Sequence, residues 1–155
     1  MRTMSLFPVF LFLTLFFPAT ETHSQETHVI TLNVDTSEIN NDNVNEVSNF
    51  GQPAEISNID YTIYASLGDT VVWRGNSTYS EEDLVMVEAI NHEGGARVFS
   101  RNTLRDTQDN PGVVIGVVSE GREGEEEKYK ISFKVMHNGE RRGGTYHIDP
   151  KIRIK

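Results

Sequence analysis

Lys128–Met136 reads KYKISFKVM, and its alternation decides the fold class. Tyr129, Ile131, Phe133 and Val135 fall on one face of an extended chain. Lys128, Lys130, Ser132 and Lys134 fall on the other. A period of two with one wet face is the pattern of a strand lying on a core. Asn138-Gly139 follows at once, the strongest short-range hairpin signal. The chain returns through Thr145–Ile148 and ends with Ile152 and Ile154 alternating with Lys151, Arg153 and Lys155.

Upstream, the same grammar recurs. His28–Val34 (HVITLNV) is a short β-rich run, and Tyr61–Ala65 alternates. Gly68-Asp69 marks a turn before TVVW at Thr70–Trp73. Leu84–Ile90 (LVMVEAI) suits a buried strand or a short helix, and β-branched Val85 and Val87 favour strand. Val113–Val118 (VVIGVV) suits a strand covered on both sides or lying near an edge, with Gly116 marking a bulge. Residues 35–58 are rich in Asn, Asp and Ser, which compete with ladder hydrogen bonds, so this part reads as loop. Seven or eight short strands without a long amphipathic helix predict an all-β, antiparallel Greek-key sandwich. Its core should contain Ile63, Val71, Trp73, Val85, Val87, Val114, Ile131, Phe133 and Ile148.

Leu6–Phe17 (LFPVFLFLTLFF) follows Arg2 and is too short to span a bilayer. It reads as the apolar region of a secretory signal peptide over residues 1–24, cleaved after Ser24. Residues 25–155 then form one domain, with no later apolar run of transmembrane length. Removing Arg2 and Glu21 leaves the net charge at −9. That balance argues against nucleic-acid partners, which need a positive field. The chain has no cysteine, which excludes disulfides, thiolate metal sites and cysteine nucleophiles. A small exported domain without disulfides points to a bacterial periplasmic or secreted protein.

Leu67–Trp73 (LGDTVVW) resembles the third strand of cupredoxins. Val98–Ser100, Glu127–Val135 and the tail Asp149–Ile154 resemble further pieces of that family. The resemblance implies a cupredoxin-like sandwich. Its copper site does not carry over, because a blue-copper centre needs two His, a Cys thiolate and a weak axial ligand. The family's Cys position falls near Phe133 or Val135, and His137 lies close to its second His position. No cofactor is expected. His92, His137 and Met136 are the weak metal candidates, and no pair of the histidines His28, His92, His137 and His147 has the two-residue spacing of a single-strand site.

Ser100, His92 and Asp106 supply a hydrolase's residue types by count alone, and no nucleophile-elbow motif surrounds a Ser. Gly121–Glu127 (GREGEEE) reads as a solvated acidic run guarding a strand. Arg141 and Arg142, with His137 and Asn138, make the best partner-binding set: adjacent positive charge on a loop of an acidic chain. The function expected is a non-catalytic exported binding or structural module, its partner an unknown protein or a small acidic ligand. The alternatives are a metal-handling envelope protein and a small hydrolase. Binding is expected at the strand ends, in the loops Arg74–Asp83 and Arg101–Gly112 and the tip His137–Gly144.

Overall fold

A computed structural model describes residues 24–155; the signal-peptide expectation lies outside the described residues. Ten strands follow in order: β1 (Thr27–Val34), β2 (Ser48–Asn49), β3 (Thr62–Ala65), β4 (Thr70–Ser77), β5 (Asp83–Gly95), β6 (Thr103–Arg105), β7 (Val113–Val117), β8 (Glu126–His137), β9 (Glu140–Ile148) and β10 (Lys151–Ile154). They form two layers. One sheet has the order β2-β1-β4-β7, and the other β3-β10-β8-β5-β6, with β9 also paired to β8. The described residues contain no helix. The chain is an all-β sandwich, as its alternation predicts.

The centre is β8. It pairs along one side with β5, from Asp83↔His137 to Gly95↔Glu127. Its other side is covered in turn by β9 and β10, which are separated by Asp149-Pro150. The Asn138-Gly139 turn closes the β8–β9 hairpin, with φ of 50° and 80°. Two successive positive φ values mark the turn type whose twist matches the flanking strands.

Two pairings depart from the antiparallel expectation. β1 runs parallel to β4 from Thr27↔Thr70 to Val34↔Ser77, and β10 runs parallel to β3. Both sheets are therefore mixed. The connection between β1 and β4 leaves one sheet, contributes β3 to the other, and returns; local alternation does not encode such a crossover.

All nine expected core residues are buried. Trp73 is their hub: its ring meets Phe99 and Tyr129 edge-on, at centroid distances of 5.4 and 5.7 Å. Its Nε1 donates to the Tyr129 hydroxyl at 3.2 Å, so the buried indole N–H is satisfied. β7 is an edge strand with one face exposed, not a strand covered on both sides. Gly116 makes no bulge there. It pairs regularly with Val71, and a Cβ would sit 2.5 Å from Leu104 and 3.1 Å from Phe99, so Gly116 admits close packing between the layers. The segment after β1 is largely turns, yet it buries Ile39 and Val44 in the core. Asn40 and Asn43 shape it by side-chain bonds to the backbone.

Candidate functional site

Three stretches of chain meet at Asp83, the first residue of β5. Its carboxylate is buried, with the residue 4% exposed. Thr36, from the segment after β1, donates its hydroxyl to Asp83 Oδ2 at 2.6 Å. That spends the only hydroxyl hydrogen of Thr36, so Ser77 Oγ, 2.8 Å away, is the donor in their mutual bond. Ser77 Oγ in turn accepts the N–H of Tyr79 and Ser80, which shapes the turn between β4 and β5. From the hairpin side, His137 Nδ1 bonds Asp83 Oδ1. A carboxylate only accepts, so Nδ1 carries the hydrogen. Nε2 then accepts from Asn138 Nδ2 at 3.0 Å, which fits the neutral Nδ1–H tautomer. The Thr36 hydroxyl, followed by His137, holds the Asp83 carboxyl below the usual carboxylate range.

Arg142 reinforces the junction from outside. Its Nη1 donates to the Thr36 carbonyl at 2.6 Å and its Nη2 to the Ser37 carbonyl at 3.1 Å. A bulge in β9 aims it there: β8 advances from Phe133 to Val135 while β9 goes from Tyr146 to Arg142. Gly143 makes that bulge possible, with φ of 75° and a Tyr146 hydroxyl where a Cβ would clash. Arg141 stays on the exposed tip, with Nη2 bonded to Thr145 Oγ1 at 2.5 Å. The four partner-binding candidates are thus gathered at one end. Arg142, however, is committed to holding a loop, a role its exposed position in the sequence did not announce.

Beside this junction opens a cleft of about 500 Å³. Arg74–Ser77 and Asp83–Met86 form its walls, and Pro111–Val113 closes one side. Arg74–Ser77, Asp83, Pro111 and Gly112 belong to two of the three segments expected to carry binding, but Arg74–Ser77 is the end of β4 and not loop, because its ladder with β1 continues to Ser77. Ser77 and Asp83 belong both to the cleft wall and to the junction.

No protein-family model matches the chain, and no curated protein matches it in sequence. The solved structures do show a likeness. The chain is similar to the inclusion body protein PixA from Burkholderia cenocepacia J2315, with a TM-score of 0.59 and 13% identity over 88% of this chain and 99% of that one. At this identity the likeness shows the fold alone. The N-terminal domain of phage TP901-1 ORF48 overlays with a TM-score of 0.35 and 14% identity, covering 83% of this chain and 99% of that one, which is too loose to carry an argument.

The weak metal candidates are not brought together. His92 pairs across from Tyr129 and His137 from Asp83, so they stand eight β8 positions apart, roughly 27 Å along the strand. His92 Nδ1 bonds Glu127 at 3.0 Å. Glu127 is 1% exposed and also accepts the Val98 N–H at 2.7 Å. The acidic run that leads into β8 is therefore not wholly solvated: its last member, Glu127, lies within β8 and is a buried anchor for the chain before Phe99. Of the hydrolase set, Asp106 lies across from Glu88, four β5 positions from His92, and accepts the Gly112 N–H, while His92 faces Glu127, so Asp106 does not orient that imidazole.

A cation-ligand set overlooked by the spacing argument lies at the opposite end. Glu26, His28 and Asp69 bring ligand atoms within 4.8 Å of one another. Asp69 is fully buried and accepts the N–H groups of Glu26 and Ser66 and the His28 ring, at 2.8–2.9 Å. Burial would raise its pKa, but the hydrogen bonds from His28, Glu26 and Ser66 together prevail and bring it down to about 2.

Proposed function

We propose that this protein is a non-catalytic, exported binding module that takes an acidic partner at the end of the sandwich formed by the cleft and the β8–β9 tip. One observation carries the reading: Asp83 and Arg142 lock the segment after β1, the β4–β5 turn and the hairpin tip into a single rigid rim. Rim loops held before a partner arrives lose little conformational freedom on binding, which favours affinity. Arg141 on the tip and Arg74, beside Glu81 in the cleft wall, supply the positive charge that would draw an acidic group in a chain of net charge −9. Export through residues 1–24, a periplasmic or secreted location and a cupredoxin-like form of the sandwich belong to the same proposal. The cupredoxin-like resemblance rests on the LGDTVVW strand and the two-layer sandwich.

The test is a titration of isotopically labelled protein with a Glu-rich decapeptide, followed by backbone amide shifts. Shifts clustered at Arg74–Met86, Pro111–Val113 and His137–Arg142, weakened by salt, are expected. Shifts absent or scattered over the sheet faces contradict the reading.

Metal handling is the second reading, and Glu26, His28 and Asp69 favour it. Both oxygens of Asp69 already serve backbone N–H groups, so an ion there would compete with the fold's own bonds. Elemental analysis of the purified protein distinguishes the readings: stoichiometric metal lost in His28→Ala would support this one.

A further inference from the structure

Asn138-Gly139 is the chain's only Asn-Gly pair, and the fold sets it against an acid–base group. An Asn amide carbon is open to attack by the backbone nitrogen of the next residue, most readily when that residue is Gly and carries no Cβ to shield it. A Cβ on Gly139 would meet nothing within 4 Å, so no neighbour crowds the peptide that must turn. Every residue from His137 to Gly144 is exposed, so the turn can open without disturbing the core.

His137 Nε2 lies 3.0 Å from Asn138 Nδ2, the nitrogen that leaves in such an attack. The ring is held from its other side by the buried Asp83 carboxylate, which accepts Nδ1–H. Carboxylate, imidazole and reacting group in a row is the arrangement by which acid–base catalysts aim a proton. His28, His92 and His147 bond Asp69, Glu127 and Ser132 instead. The charged groups on the strands beside His137 are Asp83 on β5 and Glu140, Arg141 and Arg142 on β9. None of these trades a proton near neutral pH, which leaves the imidazole to do so.

We propose that Asn138 is a self-modification site, converted to aspartate and isoaspartate with His137 as the acid that releases its amide nitrogen. The Gly139 backbone nitrogen bonds to Asn138 Cγ and loses its proton to solvent base. The Cγ–Nδ2 bond breaks as the protonated His137 ring hands its Nε2 proton to the departing nitrogen, which leaves as ammonia. A cyclic imide remains, and His137 is reprotonated from solvent. One water then opens the imide at either carbonyl and returns a proton to the Gly139 nitrogen, so nothing is oxidised or reduced. Asp83 is a positioning residue in this step. Either product puts a new carboxylate on the tip beside His137. The proposal rests on the geometry around Asp83 and not on an acidic partner at the rim.

Peptide mapping with isoaspartate detection, after timed incubation of the purified protein, tests it. Asn138 should convert before any other asparagine of the chain. His137→Gln should slow it at least about tenfold at neutral pH, less than a dedicated acid–base group supplies. The wild-type rate should flatten towards alkaline pH, where the imidazole acid is lost as hydroxide rises; in the variant it should keep rising. Free imidazole should accelerate the variant and leave the wild type nearly unchanged, which preserves the test if glutamine also loosens the tip. A wild-type Asn138 that outlasts the other asparagines overturns the proposal. So does a single pH profile shared by both proteins, or a variant indifferent to imidazole.

Discussion

The two ends of the sandwich each hold a buried aspartate against a partly exposed histidine, and they use the pair differently. Asp69 satisfies two backbone N–H groups, those of Glu26 and Ser66, besides His28. It closes the turn that starts β4 and fixes where β1 begins alongside. The Asp83 carboxylate bonds no backbone group among the described residues; its partners are the side chains of Thr36 and His137, drawn from two distant parts of the chain. Main-chain bonds at Asp69 build a joint of the fold. Side-chain bonds at Asp83 set the posture of loops. The same residue type thus secures architecture at one end and rim geometry at the other.

Breaking the first end should have the larger effect. Asp69→Ala strands the buried Ser66 N–H and leaves the Glu26 N–H and the His28 ring without their shared acceptor, and is expected to cost about 3–5 kcal/mol in urea unfolding. The sign of the acid response follows from the lowered pKa of about 2. The stability Asp69 contributes is complete above its unfolded pKa near 4 and is lost as pH falls from about 4 towards 2. Stability measured across that window should therefore fall less steeply in Asp69→Ala than in the wild type. A mutant with an unchanged acid limb would place the lost protons elsewhere.

Asp83→Ala leaves Thr36 and His137 without their acceptor, but His137 is half exposed and can turn to water. The expected cost is about 2–3 kcal/mol by the same urea measurement, smaller than at Asp69. Arg142→Ala removes two charged hydrogen bonds to carbonyls near the surface and should cost about 1–2 kcal/mol, loosening residues 36–37 without harming the hairpin. Arg141→Ala should stay within about 0.5 kcal/mol, because its single bond to Thr145 lies on the exposed tip. If the two arginines cost the same, the division between a loop-holding and a free residue is wrong.

The sequence carries some of this plainly. The alternation around Phe133 and the Asn138-Gly139 pair identify the central hairpin because period and turn chemistry are local properties. The nine core positions follow for the same reason. Asp83 and Glu127 are harder to see. Each ends an acidic run, Glu81–Asp83 and Glu125–Glu127, and nothing in the composition of the run marks the member that turns inward as the strand begins. The parallel pairing of β1 with β4 joins residues more than forty apart, and nothing in either strand alone specifies it. Arg142 was legible as an exposed cation and not as a clamp, because its partners are backbone carbonyls over a hundred residues away.

Asp83 binds three segments into one rim, and backbone amide exchange in Asp83→Ala reads that binding out segment by segment. Protection should fall together at residues 35–48, 77–83 and 137–142, while amides of β1 and β4 near Asp69 keep their wild-type rates. Loss confined to residues next to position 83, with the other two segments as protected as before, would contradict the account.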